Sequence, residues 1–273
     1  MKQNLRKRLA CLLLSALLLI GCLPVTALAA ENGFILVVEA GGKLVIAPEY
    51  ISCTAGQTAA QALSASGHTF TGLDTGMISA IDGVTGNFTR SDENGNYDLS
   101  VSAASIGYLR FSEDMDSKPS DGLKQLMTAM ADYKKKGSDV QAAAKKEYDT
   151  ARDLFVGINS ESAKTLASNL NDAVRNYENT LTGEHYAVRF TDGSAAYSDD
   201  NYPGVSITAV NAYGKQWTDD GDGVLELPKG DYTFCVEQAG LRVEGKITVS
   251  AAATVSAELP PVSYTHLTLP TIR

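Results

Sequence analysis

Histidine, tryptophan and cysteine are scarce in this chain, at 3, 1 and 4 of 273 residues. His68, His185 and His266 lie far apart in sequence, whereas zinc needs three or four converging donors. A lone His68 beside Gly67 therefore reads as a solvated loop residue. Two of the cysteines fall within the first thirty residues. The others, Cys53 and Cys235, sit in different modules and are expected to stay unbridged. Catalytic signatures are missing too: no HExxH, no P-loop, no dinucleotide fingerprint and no nucleophile elbow. Carboxylates are abundant enough for a glycosidase pair. Such a pair needs a pocket of about 300 Å³ or more, which is much to ask of modules of roughly seventy to eighty-five residues. The visible chain is therefore expected to be no enzyme and to carry no cofactor.

Positive charge is also in short supply. Four of the 23 basic residues lie in the first eight positions and a fifth is Arg273, so residues 31–261 hold 18 basic against 32 acidic residues, a net charge of −14. That balance argues against nucleic acid and anionic lipid as partners. The longest apolar run, residues 12–20, is too short to span a bilayer. It follows Lys2, Arg6, Lys7 and Arg8 and precedes Ala27-Leu28-Ala29. This is the n-, h- and c-region order of an export signal cut after Ala29 or Ala30. A rival reading takes Leu19-Ile20-Gly21-Cys22 as a lipobox, with Cys22 lipidated. The unpolar continuation Leu23-Pro24-Val25 favours simple secretion over a lipoprotein.

Between Pro119 and Gly183 the apolar spacing switches to the helical period. Leu123, Leu126, Met127, Met130 and Tyr133 form one stripe. Lys134, Lys135 and Lys136 then suit a helix C-terminus, with Gly137 as a left-handed stop. Ser138 with Gln141 reads as a capping box ahead of a second stripe, Val140, Ala144, Tyr148, Ala151 and Phe155. Gly157 closes it. Asn159 or Ser160 caps a third helix, with Ala163, Leu166, Leu170, Val174, Tyr177 and Leu181 inside and Gly183 at its end. Helices of this length reach on the order of 25–30 Å and must bury their stripes together, as an antiparallel hairpin or three-helix spacer.

On either side the pattern is β-rich. Residues 34–39 and 44–46 flank Gly41-Gly42, a hairpin signal. Thr58 opens a short helix that Gly67 stops. Residues 76–83 return to strand and turn, and Asn94-Gly95 turns into an alternating Tyr97, Leu99 and Val101. A last strand spans residues 108–111. After Gly183, alternation recurs at Tyr186-Val188-Phe190, Val205-Ile207-Ala209, Leu225-Leu227, Tyr232-Phe234-Val236 and Ile247-Val249, with glycine turns every 8–12 residues. That rhythm predicts an antiparallel β-sandwich. Within it, Asp220, Asp222 and Glu226 make a weak candidate calcium loop, whose spacing departs from the EF-hand pattern. Trp217 and Tyr213 are candidates for stacking on a ligand ring.

Three stretches resemble known families. Residues 56–63 (GQTAAQAL) and 78–84 (ISAIDGV) resemble the transcobalamin C-terminal-like domain, which implies a helix on a small sheet and small-ligand, corrinoid-like binding. Ala80 departs from that pattern. Residues 148–181 resemble the helical repeats of Gram-positive sugar-utilisation surface proteins. The run from Asp220 to Val236 resembles prealbumin-like surface repeats of the collagen-adhesin B and carboxypeptidase-regulatory type. Some of those carry an internal Lys–Asn crosslink, for which Arg189 stands where the lysine is needed. Residues 262–271 (VSYTHLTLPT) resemble a translated sequencing adapter, so residues 262–273 are expected to be non-native.

The expected organisation is α+β and multidomain: a signal peptide over 1–30, a β-grasp-like or mixed-sheet module over 32–116, a helical spacer over 119–183 and the sandwich over 185–261. The expected function is that of a non-catalytic, secreted or cell-surface bacterial protein, a spacer/adhesion or ligand-presenting region with glycans or host or cell-surface proteins as partners. Cell-wall anchoring would lie in sequence beyond Pro261. Two alternatives stand beside it: the ancillary N-terminal part of a truncated polysaccharide-acting enzyme, and a corrinoid-like binding module.

Overall fold

The computed structural model describes residues 32–92, 98–113 and 118–260. Ala29, Ala30 and Cys22, the Asn94-Gly95 turn with Tyr97, and residues 262–273 lie outside the described residues. The protein is α+β, with four helices and both mixed and antiparallel sheets among the described residues. It divides into two compact units, one up to Pro119 and one from Ser120 onward.

In the first unit β1 (Gly33–Ala40) and β2 (Lys43–Ser52) form the expected hairpin. Gly41 and Gly42 both take positive φ, 57° and 69°, the mirror-image turn that matches strand twist. The ladder slips between Leu36 and Val38, opposite Pro48, which has no N–H to offer. β7 (Tyr108–Ser112) lies parallel to β1, and β6 (Thr89–Ser91) closes a mixed sheet ordered β2-β1-β7-β6. Helix α1 (Ala59–Ala65) opens with the capping box of Thr58 and Gln61. It buries Ala59, Ala62 and Leu63 against Phe34, Leu36 and Phe111.

Two strand expectations change in this unit. Residues 76–83 contribute only β4 (Ala80–Ile81), held between β3 (Phe70–Thr71) and β5 (Val84–Thr85) in a small antiparallel sheet. Leu99 and Val101 form no strand. Their carbonyls accept the N–H groups of Ala60 and Ala59 at 3.0 and 2.9 Å, donors that the first turn of a helix cannot satisfy internally. The segment then enters a 3₁₀ turn at Ala103–Ser105.

The second unit opens with α2 (Asp121–Lys134), α3 (Ser138–Asp153) and α4 (Ser160–Leu181). At ~1.5 Å per residue, the 22 residues of α4 extend about 33 Å. α4 packs against both other helices. Its approach to α2 is close: a Cβ on Gly122 would stand 2.0 Å from the Ser160 carbonyl oxygen. Leu126, Met127, Met130, Ala144, Ala151, Ala163 and Leu170 are buried as the stripes require. Phe155 is buried as well, but one residue beyond the C-cap Leu154.

The caps are partly different from expectation. Gly137 is not a left-handed stop; at φ −60° it is the N-cap of α3. Ser138 and Gln141 make no capping box, because Ser138 is already helical and the Gln141 amide donates instead to the Lys134 and Lys136 carbonyls at 3.1 and 2.8 Å. That amide closes the preceding helix end, where carbonyls lack intrahelical partners. Asn159 does cap α4, accepting from the Ser162 N–H at 2.9 Å.

Two sheets follow. One is β10-β9-β12-β13, from Gln216–Thr218, Ser206–Asn211, Gly230–Gln238 and Leu241–Val249. The other is β11-β8-β14, from Val224–Pro228, His185–Thr191 and Ala253–Ser256. They share one core that includes Val188, Phe190, Ile207, Leu227, Phe234 and Val236. The strands are not antiparallel throughout, since β14 runs parallel to β8. After β13 the chain crosses to the other sheet within Ser250–Ala252 and so enters beside β8 in the same direction. The sequence reading makes the helices a spacer of their own, whereas the structure joins them and both sheets in one unit.

Candidate ligand-binding cleft

Where the helices meet the sheets, one polar link is made through Asn211 at the end of β9. Its amide nitrogen donates to the Tyr177 hydroxyl at 2.9 Å, and that hydroxyl donates to Asp139 Oδ2 at 3.2 Å. The Asn211 side-chain oxygen meanwhile accepts the N–H groups of Tyr213 and Lys215 at 2.9 and 3.0 Å, shaping the β9–β10 turn. One asparagine thus ties α3, α4 and that turn together. Tyr213 projects from the turn, 43% exposed, and meets the Tyr177 ring edge-on at a centroid distance of 5.0 Å.

Beside this link lies a cleft of about 540 Å³. Tyr177, Tyr213 and Tyr232 line it together with Glu147, Asn176 and Asp231. Tyr232 is buried, and its hydroxyl donates to the Pro228 carbonyl at 2.8 Å. Burial pushes the Tyr232 phenol up to about 12, with the neighbouring Tyr177 adding to it. Tyr177 is likewise raised, by burial first and then by Asp139, which outweigh the opposing hydrogen bond from Asn211. Both phenols therefore remain neutral at physiological pH. With their hydroxyls engaged within the protein, these two side chains offer the cleft mainly ring surface. The size falls inside the 300–1,000 Å³ typical of small-molecule sites, so the expectation that modules of this length leave little room for such a pocket does not hold.

Of the two stacking candidates, only Tyr213 reaches this cleft. Trp217 on β10 is half-buried and packs edge-on against Tyr232 at 5.3 Å, supporting the ring from behind. Tyr177 and Tyr232 were concealed in the sequence by their regular places in apolar stripes. Nothing in a one-dimensional pattern says that two stripe residues from different elements border the same hollow.

The acidic loop is arranged differently from expectation. Asp220 and Asp222 come together with Asp219, each able to place an oxygen within 4.8 Å of the others, whereas Glu226 sits on β11 opposite Ala187 and outside that group. Asp219 is occupied by the backbone: Oδ2 accepts from Gly221, and Oδ1 from Gly223 and Val224, at 3.1 to 3.2 Å. Its carboxyl is raised, by burial above all. Asp219 thereby shapes the turn, to which Asp222 adds by accepting the Val224 N–H through Oδ1 at 2.8 Å.

In the first unit His68 departs from its reading as a solvated residue. Nδ1 faces Asp82 Oδ2 at 2.7 Å and Nε2 is hydrogen-bonded to Glu49. Burial alone would push the imidazole down, but the hydrogen bonds and charges of Glu49 and Asp82 outweigh it and hold its pKa raised. Asp82 shows the converse: burial pushes it up, yet the Thr69 N–H at 2.8 Å and His68 bring it below its ordinary value. Farther along the sheet, Arg110 and Glu39 form a buried pair, with Nε to Oε1 at 2.6 Å and Nη2 to Oε2 at 3.2 Å. Cys53 and Cys235 are both unbridged.

No family model, curated protein or solved structure matches this chain. No helix among the described residues is long and apolar enough to cross a membrane.

Proposed function

We propose that this is an exported, non-catalytic bacterial surface or secreted protein whose second unit presents a binding cleft. In this reading the two facing sheets form a β-sandwich of the surface-repeat kind, and the helical bundle serves as a wall of the cleft as well as a stiff support. The observation that carries the proposal is the cleft itself, with two tyrosine hydroxyls committed to the protein's own groups. Such a wall binds through shape and ring surface. Acid–base catalysis would instead call for groups with pKa values tuned toward the working pH. Tyr177 and Tyr232 direct their hydroxyl protons to Asp139 and the Pro228 carbonyl, so neither is placed to pass a proton to a ligand.

The export part of the proposal rests on the basic, apolar and small-residue order of residues 1–30. Protease shaving of intact cells expressing an epitope-tagged chain tests it. The expected result is loss of the tag from whole cells, or its recovery in the medium. A tag protected until the cells are lysed overturns it.

A further inference from the structure

A second hollow, of about 390 Å³, adjoins the first and shares Asn211, Asp231 and Tyr232 with it. It continues over β9, β12 and β13, and adds Lys246 and Thr248. We propose that the two hollows form one groove for a linear, uncharged oligosaccharide, with Tyr213 as the residue on which a sugar ring stacks. This deepens the reading of the second unit as a ligand-presenting one and rests on it.

Three features select that ligand. Across the joined hollows the charged side chains are Glu147 and Asp231 against Lys229 and Lys246. Equal numbers of each sign give no preference for an anionic or cationic chain. The exposed Tyr213 ring, fixed at its backbone by Asn211 and braced edge-on by Tyr177, offers an apolar face at small entropic cost. A pyranose presents a matching face of C–H groups, with hydroxyls around its rim.

The third feature is the balance of donors and acceptors. Tyr177 and Tyr232 spend their hydroxyl protons on Asp139 and Pro228, so they cannot donate to a ligand. The carboxylates of Glu147 and Asp231 can only accept. Asp231 already receives a hydrogen bond from Thr248 through one oxygen, at 2.6 Å. Lys229, Lys246 and the Asn176 amide supply donors beside these acceptors, so the lining offers both kinds of group, and each sugar hydroxyl is itself both donor and acceptor. A proline-rich peptide, the other common guest of tyrosine-lined grooves, brings carbonyl acceptors without the proline N–H groups.

The test is an NMR titration of the isotope-labelled whole chain with cellohexaose, maltohexaose and chitohexaose. Polygalacturonate and a proline-rich decapeptide serve as comparison ligands. Saturable shifts confined to the amides of Asn211, Tyr213, Asp231 and Thr248 with at least one neutral hexasaccharide support the proposal. Tyr213→Ala is then expected to weaken binding by about tenfold or more, and Tyr213→Phe to leave it within about threefold, since the ring rather than the hydroxyl is used. Tyr213→Phe keeps the edge-on contact with Tyr177 and should melt at the wild-type temperature, while Tyr213→Ala loses that contact and should melt slightly lower yet stay folded. Silence with all three neutral sugars overturns the proposal, as does a response to the peptide or the polyanion alone, or equal loss in both variants. Each of these failures leaves the cell-shaving result untouched, so the glycan assignment and the export reading fall separately.

Discussion

Replacing His68 by Gln tests whether the Glu49–His68–Asp82 clasp holds the first unit together, and it does so through pH. A protonated imidazole donates from both nitrogens and satisfies both carboxylates, whereas the neutral ring has one donor and must leave the other carboxylate facing a lone pair. A buried charge-assisted hydrogen bond contributes roughly 1.5–3 kcal/mol, and an exposed ion pair roughly 0–1 kcal/mol. The side chains here are 22%, 26% and 35% exposed for His68, Glu49 and Asp82. Discounted for solvent screening, the whole clasp contributes about 1–2 kcal/mol. For a domain of this size that corresponds to a melting shift of roughly 4–15 °C.

The sign follows from the shifts. His68 is raised on folding, so its contribution is fully present below the unfolded value near 6.5 and is lost as pH rises through the folded value. Asp82 is lowered, so its contribution is present above 3.8 and is lost as pH falls through its depressed folded value. The clasp is therefore strongest in mildly acidic solution. Thermal melts of wild type and His68→Gln, followed through backbone amides of the first unit, should differ most below the unfolded imidazole value near 6.5 and converge as pH rises through the raised folded value. A gap that stays constant or widens with pH refutes the reasoning. So does an imidazole that titrates below about 6.5 in the folded chain.

Two further substitutions probe other parts of the fold. Gly122→Ala should destabilise the second unit by about 1–3 kcal/mol despite alanine's better helix propensity, because its methyl group would overlap the Ser160 carbonyl; a rise in the midpoint of urea unfolding would contradict the tight α2–α4 approach. Glu39→Ala removes the carboxylate that accepts two hydrogen bonds from the buried Arg110 guanidinium and should cost the first unit about 1.5–3 kcal/mol, while the joint change Glu39→Leu with Arg110→Met should recover part of it. Equal losses in the single and double variants, measured by chemical denaturation, would show that packing rather than charge pairing sets the cost.

Periodicity revealed the helices and most strands because each buries one face on a core of its own unit. Leu126, Met130, Leu170 and Val174 occupy the positions the stripes assign them. It misled at Leu99 and Val101, whose alternation looked like a strand although their carbonyls serve a helix far back in the chain. Local chemistry also has two readings at a helix junction. Gly137 followed by Ser138 fits a stop and a box on paper, yet the backbone uses the glycine as the cap and Gln141 as a brace on the helix before. The cleft was the least legible part. Tyr213 stood out by its turn, but Tyr177, Asn211 and Tyr232 gain meaning only once α4, β9 and β12 are brought together. His68 was hidden for the same reason, since Glu49 and Asp82 lie on separate strands and turns.

The parallel pairing of β1 with β7 sets the order in which the first unit can assemble. Ile35 cannot find Tyr108 until the intervening chain has been delivered, and α1 receives its terminal acceptors from Leu99 and Val101 at about the same moment. Long-range closures of this kind fold more slowly than local ones. Until that late strand arrives, the β1–β2 hairpin carries an open edge that a foreign strand could occupy.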